Sequence, residues 1–305
     1  LVIFHNWMTK HRFKMVFTLE AKNSNPFMGS PVYGRMKMLN TFRAALFLAL
    51  FSSLSAVAQT TNTFTGSGGP NWWNVATNWS LGTVPTSSDD VLINSNTTVN
   101  IASASSAGTV TLSGANARFN ILTDVPLNAT GINMTGTSGN VSIYMDAGTL
   151  TLNGGTGSIN TSGGVTSFLN INGNATVNLA TANLTYLWMK SGGSASVPAQ
   201  LTITNGQTYN TAVTFLGSAA GQSTLNLSGG TLNAGTMIVT GSAVNITNIF
   251  NLNAGTLTAS SIRRDFDGLV MNFNFNDGTI ANAAGADLNI SRNTTATQNM
   301  VISLA

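Results

Sequence analysis

Short runs of alternating apolar and polar residues recur along the chain, each closed by a small residue or Gly. Three copies are clearest: Leu225-Asn226-Leu227-Ser228-Gly229-Gly230-Thr231-Leu232, Phe250-Asn251-Leu252-Asn253-Ala254-Gly255-Thr256-Leu257 and Phe273-Asn274-Phe275-Asn276-Asp277-Gly278-Thr279-Ile280. Their starts lie 25 and 23 residues apart. Alternation with period two describes a strand with one buried face, so Leu225 and Leu227 point inward and Asn226 and Ser228 outward. Gly then allows a sharp bend, Thr231-Leu232 starts a second strand, and Met237-Ile238-Val239 supplies a third. Three short strands and three bends in about 24 residues predict one coil of a parallel β-helix, an all-β solenoid.

Weaker copies extend the series backwards through Leu201, Leu169, Ile143 and Phe119, with a degenerate one near Leu92. About seven or eight coils at the strand spacing give a rod on the order of 35 Å long. Stacked coils place like residues over like. Leu225, Phe250 and Phe273 are expected to form an internal apolar stack, Asn226, Asn251 and Asn274 an external amide ladder, and Thr231, Thr256 and Thr279 a hydroxyl ladder. Antiparallel hairpins in a sandwich also use Gly-Gly turns. They do not explain why one residue type returns to one slot every coil.

The interval from Leu169 to Leu201 is 32 residues and predicts a longer segment carrying Leu184 to Lys190 and the Ser191-Gly192-Gly193-Ser194 stretch. Extra length in solenoids maps to loops, often on the binding face. If Leu187 and Met189 point inward, Tyr186, Trp188 and Lys190 point outward together, a combination suited to sugar rings or an acidic polymer. The competing reading packs Trp188 in the core.

Residues 1–35 read as upstream or miscalled leader sequence, and 36–58 as a signal peptide. Lys37 and Arg43 form a basic n-region, Ala44 to about Leu54 an apolar core, and Ala56-Val57-Ala58 a small-x-small cleavage signal. That apolar run is too short for a permanent membrane span, and no later segment reads as transmembrane. Residues 59–90 form an N-terminal cap segment holding Trp72, Trp73 and Trp79. Large rings suit closure of an open apolar end; a Trp-lined ligand platform is the alternative. Residues 91–305 carry the repeats. They end inside the apolar run Met300 to Leu304, as expected of a piece of a longer protein.

Charge changes the picture mainly by exclusion. Seven of the 12 basic residues precede residue 44, while from residue 59 onward five basic residues face eight acidic ones. The high isoelectric point therefore belongs to the leader and is no argument for nucleic acid. The chain has no Cys, its two His are His5 and His11, and its sole Glu is Glu20. Residues 59–305 accordingly lack the side chains for a Ser-His-Asp triad, a His-ligated zinc or a glutamate pair. Asp is the carboxylate left.

Two further clusters carry candidate chemistry. Arg263-Arg264-Asp265-Phe266-Asp267-Gly268 follows a third strand and is expected in a turn. β-Helix polysaccharide lyases resemble this architecture and use Asp-bound calcium with an Arg base, which makes Arg263, Arg264, Asp265 and Asp267 the lyase candidates and Asp265 and Asp267 the Ca²⁺ ligands. Two carboxylates fall short of the six or more oxygens calcium takes, and a self-neutralising turn is the competing reading. Asp89-Asp90 is read as a charge pair on an edge strand. Thr149-Leu150-Thr151 and Thr256-Leu257-Thr258 would stack into a hydroxyl array of the kind that binds ice, but Asn233 and Ala281 break it.

The run Asn78-Trp79-Ser80-x-Gly82-x-Val84-Pro85-x-x-x-Asp89-Asp90-Val91, followed by the Leu-Asn-Leu-x-Gly-Gly-Thr-Leu copies, resembles exported bacterial β-helix surface proteins with autotransporter-associated β-strand repeats. The resemblance spans most of residues 64–285 and implies a right-handed parallel β-helix displayed at or beyond the outer membrane, adhesin-like, with no catalytic residues to carry over. Implied partners are surface polysaccharide or a host or matrix surface. Long members end in a translocating barrel or a sorting tail; neither is read within residues 91–305, as expected of a fragment.

Overall fold

The computed structural model describes residues 59–94, 96–190, 198–217, 221–240, 247–265, 270–282, 289–292 and 301–304. The 191–194 stretch, Asp267 and residues 1–58, which hold the expected leader and signal peptide, lie outside them. Every ladder between the described strands is parallel, the isolated Phe64–Trp79 bridge in the cap being antiparallel, and the strands collect on three faces of a β-solenoid. The first face runs from Thr60–Thr63 and Asp89–Ile93 up to Thr279–Asn282. The second runs from Thr98–Ile101 through Arg118–Ile121 to Asn289–Arg292. The third runs from Ser105–Ser106 through Pro126–Ala129 to Val301–Leu304.

One inward column of the first face counts the coils. Val91, Val110, Ile132, Ile159, Ala182, Tyr209, Leu232, Leu257 and Ile280 sit in direct register, eight turns from first to last among the described residues. Alternation does the rest: residues of this column are buried, Ile280 at its end only partly, while their neighbours face out. Along this column coils of 19 to 27 residues stack with register intact because bends, not strands, absorb the difference.

The expected stacks are present on the third face. Leu225, Phe250 and Phe273 are in register and buried, with the two Phe rings 4.9 Å apart. Outside them Asn251 donates Nδ2 to Asn226 Oδ1, and Asn274 to Asn251, each at 2.7 Å. Thr231, Thr256 and Thr279 pair in register on the first face. A second amide ladder runs there, Asn233 to Asn210 to Asn183 to Asn160, at 2.8, 2.8 and 3.2 Å.

The phase of the repeat differs from the sequence expectation. Phe119, Ile143 and Leu169 do stack, but on the second face, and the next residue on that column is Leu187 rather than Leu201. Leu201 begins the third-face stack under Leu225. The 32-residue interval is thus a change of face, not an enlarged coil. An apolar-polar-apolar triplet occurs on all three faces, so the phrase alone does not say which face it occupies.

The same region changes a corner. In the coil of Ser158–Thr161, residues 162–165 separate the first face from the second. In the next coil Thr181–Met189 is one continuous strand that turns the corner at Thr185 alone. Later corners follow suit, so Ser223–Val239 and Thr247–Arg264 each wrap all three faces as strands of 17 and 18 residues. Close stacking at the third-to-first bend demands glycine at Gly255: its φ is +90°, and a Cβ there would collide with the Gly230 carbonyl oxygen.

Two substitutions separate the contributions inside the rod. Phe250→Ala opens a cavity between its in-register neighbours and should cost about 3–5 kcal/mol. Tyr209 is buried with a hydroxyl that finds no hydrogen-bond partner among the described residues, and burial pushes its phenol pKa up. Tyr209→Phe should therefore be neutral or stabilise by about 1 kcal/mol. Urea unfolding of the two variants beside wild type measures both.

Candidate functional site

The cap comes first in the chain. Trp73 and Trp79 are buried, meet edge to face at 5.0 Å, and Trp79 makes the same kind of contact with Phe64 at 5.0 Å. Trp79 Nε1 donates to the Trp73 carbonyl at 2.7 Å. Buried Asn78 holds the loop around these rings: its Nδ2 donates to the carbonyls of Pro70 and Trp72, and its Oδ1 accepts from Gly68 N–H. Trp73 and Trp79 are therefore packed inward and offer no ring face to a ligand. Trp72 is half-buried and bridges to Asn100, adding a rung under the second face.

Asp89 and Asp90 do not lie on an edge. Their strand is paired on both sides, with Thr60–Thr63 and with Thr109–Ser113. Asp89 accepts from Thr86 N–H and Thr86 Oγ1 at 2.8 Å each and from Thr60 Oγ1 at 3.0 Å, and the Thr86 contacts hold its carboxyl below the usual Asp range. Asp90 accepts Thr109 N–H at 2.8 Å. Both carboxylates fasten backbone where the cap joins the first coil.

The Arg263 cluster is divided by the strand it belongs to. Arg263 and Arg264 end the strand Thr247–Arg264 rather than occupying a turn, and alternation sends Arg263 outward and Arg264 into the interior, 1% exposed. Arg263 Nε lies 3.6 Å from Asp265 Oδ1. Among the described residues no three His, Cys, Asp or Glu side chains gather as a metal site. Arg263 and Arg264 therefore point to opposite sides of the wall and do not share one surface, while Asp267 lies outside the described residues. The two Thr-x-Thr segments are also apart: Thr149 and Thr151 are on the third face, Thr256 and Thr258 on the first.

The second face holds the most distinctive surface. Residues 184–190 are not a loop; they belong to the regular strand Thr181–Met189 and its exit. Leu187 and Met189 are fully buried, while Tyr186, Trp188 and Lys190 lie half-buried on the outer side. Register brings other rings beside them. Tyr186 stacks on Phe168 at 4.8 Å and lies 5.7 Å from Phe215, and Trp188 lies 5.3 Å from Phe215. Trp188 Nε1 donates to the Gly217 carbonyl at 3.0 Å, which fixes the indole plane.

A groove of about 470 Å³ crosses these rungs. Tyr144, Phe168, Asn170 and Trp188 line it, Arg118 and Lys190 stand in it three rungs apart, and Asn96, Asn116 and Asn140 line it from the corner between first and second faces. Asn96 and Asn116 hold that corner with φ of 59° and 57°, a left-handed conformation that Asn tolerates. Arg118 lies 5.6 Å over the Tyr144 ring, and Lys190 5.2 Å over Trp188. Neither cation is ion-paired with a carboxylate of the described residues.

Sequence reasoning identified Tyr186, Trp188 and Lys190 as a group but missed Arg118, Tyr144, Phe168 and Phe215. The signal was in hand: once Phe119, Ile143 and Leu169 are stacked, Arg118, Tyr144 and Phe168 beside them must share the outer surface. No family of known proteins, curated protein or solved structure matches the chain.

The cap's dependence on Asp89 has a defined sign. A folded pKa below the unfolded value near 3.8 means the stabilisation is present above that pH and is lost as pH falls through the lowered folded value. Asp89→Asn should lower thermal stability at pH 7 by a small amount, since the site is exposed, and should flatten the acid dependence below about pH 4. Melting curves from pH 7 to pH 2 read both.

Proposed function

We propose that this protein is an exported, adhesin-like surface scaffold, a rigid solenoid that holds repeated polar side chains at fixed spacing and binds through many weak contacts. The observation that carries this reading is the in-register stacking of outward Asn and Thr on the first and third faces. Each amide is already bonded along the rod, so any one contributes little to an external partner. Affinity in such an arrangement comes from number and rigidity. Export rests on the leader features of residues 36–58, and the absence of His, Cys and Glu after residue 58 weighs against hydrolytic chemistry.

Expression of the full chain in a bacterium with an outer membrane tests the reading. The protein should become accessible to added protease on intact cells, and those cells should attach to polysaccharide-coated or matrix-coated surfaces more than controls do. Single substitutions such as Asn251→Ala should change attachment less than twofold. Retention of the chain inside the cell, or exposure without any gain in attachment, overturns the proposal.

A further inference from the structure

The geometry points to a binding site for an extended acidic polysaccharide in the groove of the second face, running obliquely across the rungs from Arg118 to Lys190. This inference deepens the surface-scaffold reading and rests on it for the polymer's origin, although the groove's chemistry stands by itself.

Three observations carry it. The first is the concentration of exposed aromatic area. Tyr144, Phe168, Tyr186, Trp188 and Phe215 occupy outward positions on four successive rungs, where the first and third faces carry mainly Asn, Thr and Ser. Outward aromatic rings give up burial, and a row of them marks a surface that another apolar face covers. A sugar ring has such a face, and successive sugar units in an extended chain advance by about one rung.

The second is charge. Arg118 and Lys190 stand three rungs apart along the axis and four residues apart along the strands, since Arg118 shares the column of Phe168 and Tyr186; that is about 20 Å at the strand spacing and rise. Each rests on a ring, at 5.6 and 5.2 Å. Cation–π contact at an exposed site is worth only about 0.5–1 kcal/mol. A carboxylate therefore displaces either contact readily and leaves the ring face free to stack. Two cations at that separation, unpaired with carboxylates of the described residues, fit acid groups repeated along one polymer.

The third is hydrogen-bonding capacity on the floor. Asn170 is 2% exposed, and its Nδ2 reaches the Ile143 carbonyl at 3.4 Å, beyond the usual hydrogen-bond range. It lies in register between Tyr144 and Trp188, where a ligand hydroxyl would complete it. The corner amides Asn96 and Asn116, bonded to each other at 3.0 Å, supply further donors and acceptors beside the groove.

Binding of the full chain to polygalacturonate, to its fully methyl-esterified form and to polyglutamate, measured by affinity electrophoresis and calorimetry, tests this inference. Polygalacturonate should bind and should weaken as salt rises; the ester should bind at least tenfold more weakly. Trp188→Ala should weaken polygalacturonate binding tenfold or more. Arg118→Gln with Lys190→Gln, both at outward positions, should reduce binding to the level of the ester with the melting temperature unchanged.

Equal binding of polyglutamate, or unchanged binding in Trp188→Ala, reveals charge attraction only and overturns the inference. Preference for the ester overturns the acidic assignment. If cells attach to surfaces while polygalacturonate never binds, the groove inference fails and the scaffold reading survives. If polygalacturonate binds in vitro but the chain stays inside the cell, the scaffold reading fails alone.

Discussion

The fold depends on lateral register between coils. A coil of this chain has an apolar interior only a few side chains across, and no coil can shield it alone. Burial becomes complete when equivalent apolar residues of adjacent turns lie directly over each other, as Leu225, Phe250 and Phe273 do. A slip by one residue would turn every inward side chain out. The outer amide ladders reinforce the same register, because Asn251 meets Asn226 and Asn274 only when the backbones are aligned.

The rest of the chain can be read as accommodation to that requirement. The lower end, where no coil precedes the first, is closed by Phe64, Trp73 and Trp79, with Asn78 consuming its polar capacity on the loop backbone. Bends take up differences in coil length. Where the corner at 162–165 contracts to Thr185, two faces merge into one strand without disturbing the columns on either side. The aromatic surface lies across this transition. The corner residues Asn96, Asn116 and Asn140 flank its lower part, and the tight corners leave Tyr186, Trp188 and Phe215 on an open wall.

Much of this was legible in the chain. Alternation fixed which side of each strand is buried, and recurrence of Asn and Thr in one slot announced stacking. Face assignment was not legible, because each coil presents three apolar-polar-apolar triplets that look alike; hence Leu169 was aligned with Leu201 although its neighbour is Leu187. The candidate groove was half visible. Alternation placed Tyr186, Trp188 and Lys190 together, whereas Arg118, Tyr144 and Phe168 come from other coils and join them only through register. Arg263 and Arg264 were misjudged for a related reason: charge suggested a turn, but pairing with the coil below kept these two in the sheet.

The amide ladders have one more property. In each of them the later coil donates and the earlier coil accepts: Asn120 to Asn100, Asn183 to Asn160, Asn274 to Asn251, Asn276 to Asn253. The side-chain dipoles therefore share one orientation, and neighbours in such a series polarise one another. At the cap-ward starts of these rows Asn160, Asn226 and Asn253 likewise donate, to the hydroxyls of Ser158, Thr202 and Ser228. The outer wall is electrically directional, so a molecule sliding along it meets different chemistry travelling up than travelling down.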